Sequence, residues 1–188
     1  MNVDKIENWS LGYAMLKPYA QLVHWLTHKR LIIEGTENIP TDKPVIFAPN
    51  HQNALMDAMV LVTTIPGQIV FLARADIFKN KTLAKVLQFL KIMPVYRIRD
   101  GKDSLDKNEE IFDHTIRILS NNRQIGLFPE AQHIGMKSMV AHKKAIPRIA
   151  FLAGEKTNYS LDIQIVPVGI YYSHYWNFQR TLVVNYGK

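Results

Sequence analysis

From residue 31 onward, short β-rich runs alternate with segments of helical period, and no other feature of this sequence restricts the fold as strongly. Strands are expected at 31–34, 45–48, 68–73, 92–96, 125–128, 163–171 and 181–185, and helices at about 53–64, 81–90, 105–121 and 143–154. The run 45–48 is apolar throughout, as a strand covered on both faces is. Asn53 stands where it can cap the helix that follows. Strands alternating with helices predict an α/β domain, with a mixed, largely parallel sheet flanked by helices. Pro167, inside the run Ile165-Val166-Pro167-Val168-Gly169, cannot donate to a ladder and predicts an edge position or a bulge. The run 181–185 has the texture of a core strand, yet only Tyr186, Gly187 and Lys188 follow it. We therefore expect the domain, 31–188, to be truncated at its C-terminus, a strand at the sheet edge being the alternative.

Residues 1–30 read as a separate helical element. Positions 5–29 carry a helical period, and Pro18 is expected to break or kink it, a break giving two short helices. Trp9, Tyr13, Leu16, Ala20, Val23 and Leu26 mark one apolar face. Leu11, Met15, Tyr19, Leu22 and Trp25 widen it beyond what a solvated helix needs, and Lys5, Lys17, Lys29 and Arg30 flank it. Two readings are open: a helix packed on the core, or helices lying in a bilayer interface with Trp and Tyr at headgroup level. The longest stretch free of formal charge, 58–73, is broken by Thr63, Thr64, Pro66, Gly67 and Gln68. It falls short of the ~20 apolar residues that a spanning helix needs. Asp4 and Glu7 interrupt the start before any apolar run, so no secretory signal is expected there.

Composition narrows the chemistry. With 188 residues, 47% hydrophobic and 21% charged, the chain can bury a core without disulfides or metal. The absence of cysteine excludes a disulfide scaffold, a thiol nucleophile and a Cys-ligated zinc site. A net charge of +7 points to an anionic partner: phospholipid headgroups, a phosphorylated or CoA-bearing substrate, or nucleic acid. No RNA-binding or helix-turn-helix signature supports the last.

Four motifs stand at strand ends or in strands. The first is Pro49-Asn50-His51-Gln52-Asn53-Ala54-Leu55-Met56-Asp57, directly after a buried strand. Ligands of open α/β sheets bind at that carboxyl edge. On one helix, six residues would set His51 and Asp57 about 120° apart. The two can meet only if His51 lies in the turn before the helix. If they meet, the carboxylate orients the imidazole as a general base; the alternative is a turn histidine and a solvated aspartate. The second motif is Gly126-Leu127-Phe128-Pro129-Glu130, weak when taken alone. The third, Met93-Pro94-Val95-Tyr96-Arg97-Ile98-Arg99, carries two arginines able to grip a phosphate, or else a charged strand face. The fourth is the strand containing Pro167. A metal hydrolase built on His51, Asp57, Glu130 and His133 matches no zinc spacing, so no metal site is expected.

In combination and in this order, the four motifs resemble the glycerolipid acyltransferase family, which includes PlsC-type glycerol-3-phosphate and 1-acylglycerol-3-phosphate acyltransferases. The resemblance covers about residues 31–171, and Phe71-Leu72-Ala73-Arg74 matches the family's strand that ends in a basic residue. Two departures stand out. Five residues separate His51 from Asp57 where the family usually has four, and Ala131, Gln132 and His133 follow Glu130 where the family has Gly and then an arginine. The resemblance implies direct acyl transfer to the hydroxyl of a glycerol-phosphate or lysophospholipid. His51 and Asp57 would be catalytic; Arg74, Arg97, Arg99, Phe128, Pro129, Glu130 and Lys137 would bind substrate, with Lys143 and Lys144 as further substitutes for the missing arginine. It implies no cofactor, acyl-CoA or acyl-carrier protein as donor, no nucleic acid, and peripheral contact with the cytoplasmic face of a membrane. A non-catalytic basic module binding anionic lipid is the competing expectation.

Overall fold

The computed structural model describes residues 5–96, 103–132, 138 and 140–188, and of residues 103–107 the backbone only. Seven strands form one sheet: β1 (His28–Glu34), β2 (Val45–Pro49), β3 (Val70–Arg74), β4 (Ile92–Val95), β5 (Gln124–Leu127), β6 (Gln164–Tyr172) and β7 (Arg180–Tyr186). Their order across the sheet is β1-β7-β6-β2-β5-β3-β4. Every neighbouring pair is parallel except β6 and β7, which run antiparallel. The helices are α1 (Leu11–Thr27), α2 (Ala54–Thr64), α3 (Lys81–Phe89), α4 (Asp103–Ser120) and α5 (Ala145–Lys156). This is the expected mixed, largely parallel α/β sheet.

Alternation along β2 shows how the core is divided. Val45 and Phe47 pack into one cluster with Val60 and Leu61 of α2, while Ile46 faces a second cluster with Ile118 and Leu119 of α4 and Ile146 and Ile149 of α5. A strand apolar at every position thus feeds both faces of the sheet.

Two expectations are corrected. Pro18 does not split the N-terminal element; α1 is a single helix with Pro18 inside it. A proline in a helix interior costs about 3 kcal/mol, and the helix is held on either side of it. Lys17 Nζ donates to the Ile65 carbonyl at 2.6 Å and Gln21 Nε2 to that of Thr63 at 3.1 Å. At the N-terminal end, Ser10 and Gln68 exchange bonds of 2.9 and 2.7 Å. The second correction concerns Pro167, which lies in an interior strand. Its carbonyl accepts from Gly187 N at 2.8 Å, just past the end of β7. A strand residue's N–H and carbonyl point to the same side, so the donor that proline lacks faces the end of β7, where no ladder is broken. The run 181–185 likewise falls in an interior strand, β7, between β1 and β6.

The inward face of α1 is Tyr13, Ala20 and His24. Leu11, Met15, Tyr19, Leu22, Trp25 and Leu26 remain exposed, Trp25 at 74%. No described helix is long and apolar enough to cross a membrane.

Candidate active site

The parallel strands bring the ends of β2, β3, β5 and β6 to one edge of the sheet, together with the start of the antiparallel β7. Asn50 extends the β2–β6 pairing into the following turn. Its side chain donates to the Ile170 carbonyl at 2.9 Å and accepts from Ile170 N at 2.7 Å. The chain then turns over four residues, with Ala54 at φ +43°, before α2 proceeds. Such a left-handed residue is uncommon outside glycine, and it lies between His51 and Asp57.

His51 and Asp57 meet, with His51 Nδ1 3.0 Å from Asp57 Oδ2. That same oxygen accepts from the backbone N–H groups of Gln52 at 2.8 Å and Asn53 at 2.7 Å. Asp57 therefore caps α2 from within its first turn. Asn53 occupies the expected cap position but makes no side-chain cap bond. An Asn53 side chain would cap the N–H of Leu55 or Met56, and Met56 N bonds the Asn53 carbonyl at 3.0 Å instead, while Asp57 takes the N–H groups just ahead of the helix. An ionised carboxylate only accepts, so Nδ1 carries the imidazole proton and Nε2 is left as the basic nitrogen. Asp57 is fully buried, whereas 16% of the His51 side chain is open.

Three residues after β5 frame this pair. The Phe128 ring stacks on His51, centroids 4.2 Å apart and planes 28° apart. The Pro129 carbonyl accepts from Lys143 N at 2.7 Å. Glu130 is fully buried, its Oε1 accepting from His51 N at 3.1 Å and its Oε2 from Val140 N at 3.2 Å. Both oxygens thus engage backbone donors. Arg74 ends β3 and reaches Asp76, Nε to Oδ1 at 3.2 Å. Lys143 and Lys144 are exposed just before α5. Arg97, Arg99, Lys137 and His133 lie outside the described residues.

The sequence did not single out Asn50, Gln52, Tyr172 or Tyr175. Tyr172 OH donates to Asp57 Oδ1 at 2.9 Å, and Tyr175 OH to Gln52 Oε1 at 2.8 Å. Alternation along β6 buries Val166, Val168, Ile170 and Tyr172. That period was legible; the partner of the Tyr172 hydroxyl was not, because it comes from 115 positions away.

These features define an open α/β domain that holds a His–Asp pair at the carboxyl edge of its parallel strands. Residues 30–171 match the family described as Acyltransferase, and the chain belongs to that family. It is 26% identical over 179 residues to the 1-acyl-sn-glycerol-3-phosphate acyltransferase of Borreliella burgdorferi, covering 94% of this chain and 65% of that protein. Over 98 residues it is 29% identical to the enzyme of the same name from Bacillus subtilis, covering 52% of this chain and 45% of that protein. The crystal structure of the 1-acyl-sn-glycerophosphate (LPA) acyltransferase PlsC from Thermotoga maritima shares the fold. It superposes at a TM-score of 0.65 with 18% identity, over 94% of this chain and 67% of that one. The chain thus spans about two thirds or less of the curated relatives it matches.

Proposed function

We propose that this domain transfers a fatty acyl group from a thioester to the free hydroxyl of a 1-acylglycerol 3-phosphate, with glycerol 3-phosphate as the second acceptor to test. The observation that carries the reading is the 3.0 Å contact between His51 and Asp57 at the strand edge, in a chain of the Acyltransferase family. Nε2 of His51 takes the acceptor's hydroxyl proton as that oxygen attacks the thioester carbonyl. Asp57 stabilises the imidazolium that forms. The tetrahedral intermediate then expels the thiolate of CoA or acyl-carrier protein, and His51 returns the proton to the sulfur. Acid–base assistance of this kind contributes typically ~10²–10⁴-fold, and holding both substrates in line contributes more. The carboxylate of Glu130 holds the backbone of the His51 turn. Arg97, Arg99 and Lys137 are assigned to the acceptor phosphate, with Arg74 as a further candidate.

The acceptor and the acyl chains reside in membranes, and the thioester donors are cytosolic, so the domain works peripherally on the cytoplasmic face. The exposed apolar stripe of α1 supports this. It ends beside the β6–β7 loop, where Gln179 N donates to the Thr27 carbonyl at 2.9 Å, and that loop presents Trp176 at 90% and Phe178 at 70% exposure. Aromatic side chains of this kind favour the headgroup region, and nearby lysines add about 1 kcal/mol each on anionic lipid.

The deciding experiment is an acyl-transfer screen of the chain. It pairs acyl-CoA and acyl-carrier-protein donors with 1-acylglycerol 3-phosphate, glycerol 3-phosphate and other lyso-lipids. Transfer that His51→Ala abolishes in a folded protein supports the reading. Binding to anionic vesicles without turnover by any pair would point instead to the non-catalytic lipid-binding module.

A further inference from the structure

The two oxygens of Asp57 are loaded unequally. Oδ2 faces three donors, His51 Nδ1, Gln52 N and Asn53 N, whereas Oδ1 takes the hydroxyl of Tyr172 at 2.9 Å. Tyr172 is the last residue of β6 and is fully buried. Burial first, and then the negative charge of Asp57, hold its phenol well above the ordinary range, so it stays a protonated donor. The ring is held in turn. The Arg180 guanidinium at the start of β7 lies 4.9 Å from its centroid, and Arg180 Nε donates to His28 Nε2 at 3.2 Å. With Nε2 accepting, His28 carries its proton on Nδ1, which lies 3.1 Å from the His24 carbonyl. A continuous run of contacts thus leads from Asp57 through β6 and β7 to the end of α1.

We propose that Tyr172 is a positioning residue for the reaction: its hydroxyl fixes the plane of the Asp57 carboxylate and, through it, the tautomer and aim of His51. The inference rests on the reading of His51 as the general base. Two backbone N–H groups locate Oδ2, but a carboxylate anchored at one oxygen can still turn about it. The Tyr172 hydroxyl anchors the other. Without it, a buried carboxylate oxygen is left without its donor, which is costly. The group then turns to share out the donors crowded on Oδ2, and its lone pair leaves the line to Nδ1.

The test is Tyr172→Phe, which removes one buried oxygen and keeps the ring. Imidazole ¹⁵N shifts of His51, assigned against His51→Gln, should show the proton on Nδ1 in the unaltered chain and a mixture of tautomers in Tyr172→Phe. In the same variant kcat should fall about 10- to 100-fold while both KM values stay within about twofold, because the loss is confined to the orientation of the base. Should Tyr172→Phe not fold, 4-aminophenylalanine at position 172 retains the ring with a weaker donor, and an intermediate loss is expected. An Nδ1 tautomer and a kcat both unmoved in a folded variant would overturn the proposal. The tautomer is read without turnover. A shifted tautomer in a chain that transfers no acyl group therefore sinks the functional reading and leaves the positioning role standing.

Discussion

Replacing Asp57 by Asn removes a charge and little else, because the structure offers the amide a place. Its carbonyl can take the position of Oδ2 and accept from His51 Nδ1, Gln52 N and Asn53 N. Its NH₂ then faces the Tyr172 oxygen, which can turn its hydrogen aside and accept. The fold should survive with a loss of about 1–2 kcal/mol, as charged acceptors give way to neutral ones. The catalytic loss is larger. Unit charges about 4 Å apart interact by about 4 kcal/mol at an effective dielectric of about 20. With the proton about half transferred in the transition state, about 2 kcal/mol of that is at stake, and at about 1.36 kcal/mol per decade kcat falls about 30-fold. A fully formed imidazolium raises the loss to about 1,000-fold. Steady-state assays with donor and acceptor varied separately should show this in kcat, with both KM values nearly unchanged. An Asp57→Asn protein that keeps kcat within about threefold of the unaltered chain refutes the role given to the charge.

Three further outcomes follow from the same packing. Glu130→Gln leaves an amide donor facing a backbone donor in a fully buried site. It should cost about 2–3 kcal/mol and lower Tm by about 5–10 °C, and a Tm equal to wild type would show that the two oxygens are not structural acceptors. Burial, and then the neighbouring His28, push the pKa of His24 down to about 4. A group depressed in the native state contributes stability present above its unfolded pKa and lost as pH falls, so resistance to urea should decline between about pH 6.5 and 4. His24→Leu should flatten that decline, and an unaltered slope would place its origin elsewhere. Gly35 adopts φ +73°, and a Cβ there would lie 2.0 Å from the Tyr186 carbonyl oxygen; Gly35→Ala should therefore lower stability by at least about 2 kcal/mol in a urea titration, where an unchanged midpoint would contradict so close an approach of the two backbones.

Local periodicity was enough to place most of the elements. The strands β2, β3, β5 and β6 and the helices α2, α3 and α5 begin and end within a few residues of where apolar period and turn residues put them. Short-range physics also brought out His51, because a strand that is apolar throughout must end in a turn at the carboxyl edge of the sheet. What depends on distant residues could not be read this way. Pro18 marks a break wherever a helix must stand alone, but here the carbonyls of Thr63 and Ile65 hold the helix together. Pro167 marks an edge only for a strand whose missing donor would break a ladder, and it was the end of β7 that removed the conflict. Asn53 has the chemistry of a cap, yet the Met56 N–H that its side chain would take bonds the Asn53 carbonyl instead, and its own N–H goes to Asp57, one helical turn on. The long-range contacts of Glu130 and Tyr172 lay furthest out of reach. Glu130 Oε1 and the Tyr172 hydroxyl meet partners 79 and 115 positions away. A sequence pattern records which face of a strand a side chain takes; only the sheet order brings that face against another chain segment.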